Sequence, residues 1–446
     1  MAQLDWFWKQ MKQAGYDGPL QLNGQGIASP WTPLTFASRC APDYVRVLLE
    51  QGALVHQKET QKNQTPLLCA AAAGSIQALD VLLEYGASLL DCDQHGSNAL
   101  ALAVLENREA MAEHLIHLGC NINQDSTIDQ HTPIVFHLAT HYPKLLRLAI
   151  EQGASLKRKT PHGQTILMHF LHHCPVLGVH ATTFEEVLIL FEQYGVDFNE
   201  TDHYGNNALH YACARFYWAI PWLMKKGLNP NSPNEDGQTP LMNFVQHQHF
   251  LTLDYFVNQE PNWNAIRKDG CSVLFLACEK PLKLNHWQIN NTFEQSELYH
   301  IKHLDPYQPP HGYLGSFDDV LDVSFCDLLL QEGAHAHPLN DHGASALMMA
   351  ARMQPESLDI LLQAGLDPNH KDHQGYSVLD CALRSHASRE QFSVLIQAGA
   401  EVQQVKTEEH QANPDLWAYW KSLRDRGELS QHFPGELLPE ITVRRI

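Results

Sequence analysis

Short apolar stretches return along this chain at a nearly constant distance, each opened by a small polar residue. Thr32-Pro33-Leu34 is followed by Thr65-Pro66-Leu67, Asn98-Ala99-Leu100, Thr132-Pro133-Ile134, Thr165-Ile166-Leu167, Asn207-Ala208-Leu209, Thr239-Pro240-Leu241, Ser272-Val273-Leu274, Ser345-Ala346-Leu347 and Ser377-Val378-Leu379. Seven of the nine steps between successive copies lie within one residue of 33. The other two, into Asn207 and into Ser345, are 42 and 73 residues long and mark insertions near 172–184 and 281–324. Self-similarity at such a period signals stacked supersecondary units rather than one globule around a single core.

A second signature keeps the same phase. Leu48-Leu49-Glu50-Gln51-Gly52-Ala53 matches Leu82-Leu83-Glu84-Tyr85-Gly86-Ala87, with further copies at Gly119, Gly153, Gly195, Gly227, Gly333, Gly365 and Gly399. The copy at Asn258-Gln259-Glu260-Pro261 lacks the glycine. Each part has a physical task. A Thr or Ser oxygen accepts from the orphan N–H groups that open a helix. Proline suits the first helical position, where its missing N–H leaves nothing unpaired. Glycine adopts the left-handed conformation that ends a helix. The Asp-x-x-Gly segments Asp93–Gly96, Asp202–Gly205 and Asp372–Gly375 are turn chemistry. The predicted unit is a turn, a short helix, a short turn, a longer helix and a loop, so the fold class is all-α.

Such an array needs polar ends, because a terminal unit otherwise exposes an apolar face. Leu4, Phe7, Trp8 and Met11 fall at helical spacing and predict a capping helix within residues 1–28. Leu416, Trp417, Trp420 and Leu423 predict another within 403–446, followed by a tail from Gly427. The repeated marks resemble the T-P-L-H-x-A-A and L-L-x-x-G-A motifs of the ankyrin-repeat family, over about Ser29 to Val402. The resemblance implies a solenoid of about ten helix-turn-helix repeats across 29–402. In that family the motif histidine ties neighbouring turns together; here only His210 keeps it.

The resemblance further implies a protein partner held in a concave groove. The groove would be lined by two residues that follow each first-helix motif and by the tips of the turns. By register the helix positions include Ala72/Ala73, Ala139/Thr140, His172/His173, Ala214/Arg215, Gln246/His247, Arg352/Met353 and Arg384/Ser385. The turn tips include His95, His203, Tyr204, Asp341, His342, His373 and Tyr376, and Phe216, Tyr217 and Trp218 add aromatic surface. From these, His172, His173, His203, Tyr204, Arg215, Gln246, His247, Arg352 and Arg384 form the candidate partner-binding set. Arg and aromatic side chains are the ones that most often dominate binding energy.

Charge narrows the partner. Fifty acidic residues against 30 basic ones give −20, which argues against a nucleic-acid backbone, since that needs a basic face. Protonating all 28 His would move the formal charge from −20 to +8, so the surface is sensitive to mild acid. No apolar stretch is long enough to span a membrane. The start lacks a basic region followed by an apolar run, and ten Cys are scattered without a CxxC pair. A cytoplasmic monomer with reduced thiols is therefore expected, with delivery into a host cell without a cleaved signal left open.

The most suggestive chemical cluster is His169, His172, His173, Cys174 and His180, with His137 and His141 one repeat earlier. Spacing of four on a helix puts His169 and His173 on one side, as the start of a zinc or copper site would require. Partner-binding or solvated histidines in a His-rich chain are the expected reading, and no metal or cofactor is assigned. Cys213 and Cys278 fall at a small packed position, and no nucleophile, phosphate-loop or zinc-protease motif is present. No enzyme is expected. The alternatives are chemistry housed in the 281–324 insertion, or a metal-binding His-rich repeat protein. Degenerate repeats and abundant Gln and His lean toward an ankyrin-repeat effector of an intracellular bacterium.

Overall fold

The computed structural model describes residues 5–16, 21–24, 30–124, 132–174, 181–216, 219–247, 256, 259–279, 325–385, 387–402, 405 and 413–426. Among these residues there are 21 α-helices and no strand. The chain divides into two units, Met1–Ala208 and Leu209–Ile446.

In the first unit α1 (Asp5–Gln13) precedes five helix pairs. The first helices are α2 (Pro33–Cys40), α4 (Pro66–Ala73), α6 (Ala99–Leu105), α8 (Ile134–His141) and α10 (Ile166–His173). Their partners are α3 (Val45–Glu50), α5 (Ile76–Glu84), α7 (Glu109–His117), α9 (Pro143–Glu151) and α11 (Ala181–Gln193). The first helices pack in succession, α2 on α4, α4 on α6, α6 on α8 and α8 on α10. They are apolar nearly all round: Pro66 to Ala72 of α4 are all buried, because neighbours cover them on both sides and the partner helix covers a third. Full burial of one Leu side chain contributes roughly 1.5–3 kcal/mol. α1 closes the stack with Phe7 and Met11 buried, while Trp6 stays half-exposed and stacks on Tyr44.

At the division lies α12 (Ala208–Arg215), and the second unit continues with α13 (Ile220–Lys225), α14 (Pro240–Gln246), α15 (Val273–Cys278) and α16 (Phe325–Gln331). Then come α17 (Ala346–Met353), α18 (Leu358–Gln363), α19 (Val378–Leu383), α20 (Arg389–Gln397) and α21 (Pro414–Arg426). Here α14 packs on α15, α15 on α17 and α17 on α19. In α21, Leu416 and Trp420 are buried and the Trp420 indole N–H donates to the Val402 carbonyl at 3.1 Å. Because α15 and α16 pack as a pair, the 281–324 insertion joins the two helices of one repeat. The Cys278 and Cys326 Sγ atoms, 3.5 Å apart, bring its flanks together. The insertion itself, with the sites expected on it, lies outside the described residues, as do Tyr217, Trp218, His180 and the tail from Gly427.

Helix starts follow the expected chemistry. Thr32, Thr65, Asn98, Thr165, Thr239, Ser272, Ser345 and Ser377 each accept from the N–H three residues on, a cap worth about 1 kcal/mol. The Thr132 copy departs from this pattern. Its cap is Pro133, without a side-chain bond, and α8 starts at Ile134. Its register is thus one residue later than the motif suggests, so His137 and His141 match His169 and His173. Ala139 and Thr140, expected in the groove, are buried, with Thr140 Oγ1 donating to the Phe136 carbonyl at 2.8 Å. Ser385 and Ala72 are buried as well, and so is Phe216, which was expected on the surface.

The histidine tie occurs at His210, whose Nε2 donates to the Gln238 carbonyl at 3.0 Å. Elsewhere the turns are tied by backbone. The N–H of Gln94 donates to Lys62, His203 to His162, Lys268 to Asp236, Asp341 to Asp269 and His373 to His342, at 2.7–3.1 Å. On the far side an asparagine clamps the end of the next second helix. The side chains of Asn123, Asn231, Asn264 and Asn369 each donate to a carbonyl at that helix end. Each also accepts an N–H two residues further on. Where the helix-ending glycine is missing, Glu260 itself takes a φ of 48°, so the left-handed turn is kept against the preference of a Cβ-bearing residue.

Candidate functional site

Each unit holds a polar cavity at the same junction, between two successive first helices and the turn that leads into the later one. In the first unit the cavity is about 400 Å³. His137 and His141 line it from α8, and His169, His172 and His173 from α10. The turn between supplies Thr160, Pro161, His162 and Gln164, and Thr132 closes one edge. Ring centroids lie 6.0 Å apart for His137 and His169, 4.3 Å for His169 and His173, and 4.5 Å for His172 and His173. His172 and His173 are exposed at the rim, whereas His169 is buried and its Nδ1 has no hydrogen-bond partner. Burial, reinforced by His173 and His137, pushes the His169 imidazole down to about 2. It is therefore neutral at any ordinary pH.

The second unit's cavity, about 340 Å³, is built from α17, α19 and the turns before them. Arg352 and Arg384 face it together with Met348, Met349, Tyr376 and His342, and Asp372 and Asp380 contribute carboxylates. Arg384 lies 4.0 Å from the Tyr376 ring centroid, a cation–π contact that holds the guanidinium in place. Asp380 is committed to its helix start, accepting from the Ser377 N–H at 2.8 Å and hydroxyl at 2.7 Å.

Of the sequence-predicted set, the structure brings His172 with His173 into one cavity and Arg352 with Arg384 into the other. His203 and Tyr204 sit on the turn beside the first cavity. Tyr204 is exposed and stacks near His162 at 6.4 Å. The His203 ring lies over Gly163: a Cβ built there would be 2.5 Å from its Cδ2. His203 thus serves turn packing as well as surface. His373 repeats the arrangement over Gly343. Arg215 ends α12, 5.9 Å from the Phe216 ring. Gln246 accepts from Gln238 at 3.1 Å and the His247 ring donates to the Asn243 carbonyl at 2.7 Å; both lie at the end of α14, lining neither cavity. Sequence reasoning missed Thr160, His162 and Gln164, whose signal was only their place in a turn.

No group of three or more His, Cys, Asp or Glu among the described residues is placed to hold a metal ion. The cysteines are poorly suited to attack. Burial pushes Cys69, Cys271 and Cys381 up to about 12 and Cys213 well above its ordinary value, and it is the thiolate that reacts. No helix among the described residues is long and apolar enough to cross a membrane.

Residues 37–126, which hold α3 to α7 and the second half of α2, match the family model described as ankyrin repeats, three copies. The chain carries ankyrin repeats. Ankyrin repeats imply a protein–protein interaction domain. Over 144 residues it is 33% identical to ankyrin repeat and SOCS box protein 6 from Homo sapiens, covering 31% of this chain and 33% of that protein. The counterpart from Pongo abelii matches equally. A third relative, the human transient receptor potential cation channel subfamily A member 1, is 23% identical over 387 residues, 76% of this chain and 33% of the channel. The chain thus spans about a third of the length of these relatives. The crystal structure of the human ASB11 ankyrin repeat domain overlays with a TM-score of 0.43 at 17% identity, covering 52% of this chain and 99% of that one.

Proposed function

We propose that this ankyrin-repeat chain is a non-enzymatic scaffold that binds a protein partner along the face formed by its first helices and turn tips. The array spans 29–402, with 1–28 and 403–446 as its polar ends. The observation that carries this reading is the recurrence, in each unit, of a cavity at the same junction with exposed His or Arg at its rim. The protonated, buried thiols support the absence of nucleophilic chemistry. In this proposal the scaffold acts as a cytoplasmic monomer. Degenerate repeats and abundant Gln and His support the further reading of an ankyrin-repeat effector of an intracellular bacterium.

The test compares two alterations of the intact chain in a pull-down. Tyr204→Ala with Arg215→Ala removes exposed anchors from the proposed face, and replacing 284–316 by a short Gly/Ser linker removes the rival element. The expected result is loss of the partner from the double variant at an unchanged melting temperature. Normal capture by that variant, with loss from the linker form, would move recognition to the insertion.

A further inference from the structure

We propose that the histidine cavity of the first unit takes a carboxylate side chain from an acidic segment of the partner, and holds it more tightly in mild acid. The inference rests on the partner-binding reading and names the chemistry of what is bound.

The chain as a whole carries −20, yet the residues lining this cavity are six His, two Thr, one Gln and one Pro, without a carboxylate. Imidazole and amide N–H groups and hydroxyls are donors, and an ionised carboxylate is an acceptor with about four lone-pair sites. The cavity can present donors, with no carboxylate among its lining residues, in an otherwise acidic chain. His169 adds an independent sign of a guest. It is 5% exposed and lines the cavity, and its Nδ1 is a buried atom without a hydrogen-bond partner, one small ring shift from the cavity's space. A buried polar atom left unpaired is unfavourable, and a guest oxygen removes that penalty.

Acid sensitivity follows from linkage. An anion placed against imidazoles favours their charged form, so binding takes up protons, and lower pH must favour binding. The groups that face the site are His137 and His141 from α8, His169, His172 and His173 from α10, and His162 from the turn. The next turn, tied to His162 by the His203 N–H, carries His203, Tyr204 and Asp202, whose carboxylate accepts from the Tyr204 and Asn206 N–H groups of its own loop. Asp125, Asp129, His131 and His180 lie outside the described residues. The second unit's cavity, by contrast, carries the guanidinium groups of Arg352 and Arg384 where the first carries imidazoles.

The probe is a fluorescein-labelled hexaglutamate peptide, titrated with the full chain at pH 7.5 and at pH 6.0 and read by anisotropy. The intact chain should bind at least fivefold more tightly at pH 6.0. His141→Gln/His172→Gln/His173→Gln, three exposed positions whose change spares the core, should lose most of that gain. Because 25 of the 28 His remain in the variant, a gain due only to overall charge would survive in it, and that survival overturns the proposal. Equal binding of a hexaglutamine peptide overturns it also. So does tight uptake of one Zn²⁺ lost in the triple variant without peptide binding, which would make this a metal site. If the peptide fails while the Tyr204/Arg215 variant still loses the partner, the carboxylate inference falls and the partner-binding reading stands.

Discussion

The cavity between α8 and α10 and the cavity between α17 and α19 occupy one junction of the repeat and differ in nearly every side chain. Counted from the caps Thr165, Ser345 and Ser377, His172, Arg352 and Arg384 all stand seven residues on. His169, Met349 and Cys381 stand four on. The backbone holds these positions constant through caps and inter-turn bonds, so the side chain alone sets the chemistry presented there. In the first unit the result is imidazole-rich and deep, with five imidazoles around a neutral His169. In the second it is permanently charged and flanked by Met348, Met349 and Tyr376, surfaces that suit apolar contact. A repeat array can thus present two side-chain chemistries at one junction without altering its fold.

The sharpest way to break the comparison is to collapse one side. Phe170 is fully buried and its ring lies 4.6 Å from Phe184 and 5.8 Å from Phe191. Phe170→Ala should cost roughly 3–5 kcal/mol. Hydrogen exchange should then rise across α8 to α11 and leave α17 and α19 protected, since repeats depend chiefly on their neighbours. Deprotection of both would make the two cavities parts of one cooperative unit. Next in size is the binding effect. Arg352→Ala with Arg384→Ala should weaken a captured partner by about 2 kcal/mol, equally at pH 6.0 and 7.5. His172→Ala with His173→Ala should match that loss only at pH 6.0, as titration of the purified partner would reveal.

Stability against pH separates the regions further. The His169 imidazole sits at about 2 in the folded chain against an ordinary 6.5. Above 6.5 both folded and unfolded forms are neutral there, so the shift has no effect. Below 6.5 only the unfolded form takes the proton, so stability is lost as pH falls. Linkage sets the slope near 1.4 kcal/mol per pH unit, or roughly 2 kcal/mol between pH 6.5 and 5. Denaturant melts of His169→Gln should be flatter over that window than those of the intact chain; parallel slopes would show that His169 is not held neutral. The smallest effect is a control. Glu260→Gly removes a left-handed non-glycine residue and should stabilise by up to about 1 kcal/mol, while both cavities bind as before.

The sequence carried the helices plainly because caps, first-turn prolines and helix-ending glycines act locally and recur in phase. It misled at Thr132, where the 34-residue step hides a cap displaced to Pro133, and so Ala139, which matches the buried Leu171 in the true register, was expected on the surface. The asparagine clamps at Asn123, Asn231, Asn264 and Asn369 escaped notice for a different reason. Each bonds about 30 residues or more away, and the meaning of such a residue lies in its neighbour's backbone. The histidine grouping was visible as spacing within α10, but its closure by His162 and Thr160 depends on how a turn folds back. Likewise nothing local joins Arg352 to Arg384; stacking of α17 on α19 does.

Placement of the partner on the first-helix face is the point on which the account turns, and site-specific photocrosslinking tests it most directly. A photoreactive phenylalanine analogue at position 172 or 352 should give adducts with the partner. The same analogue at Glu113 or Gln193, exposed on second helices, should give none. Adducts from positions 113 and 193, with none from 172 and 352, would contradict the account and put the partner on the opposite face of the repeats.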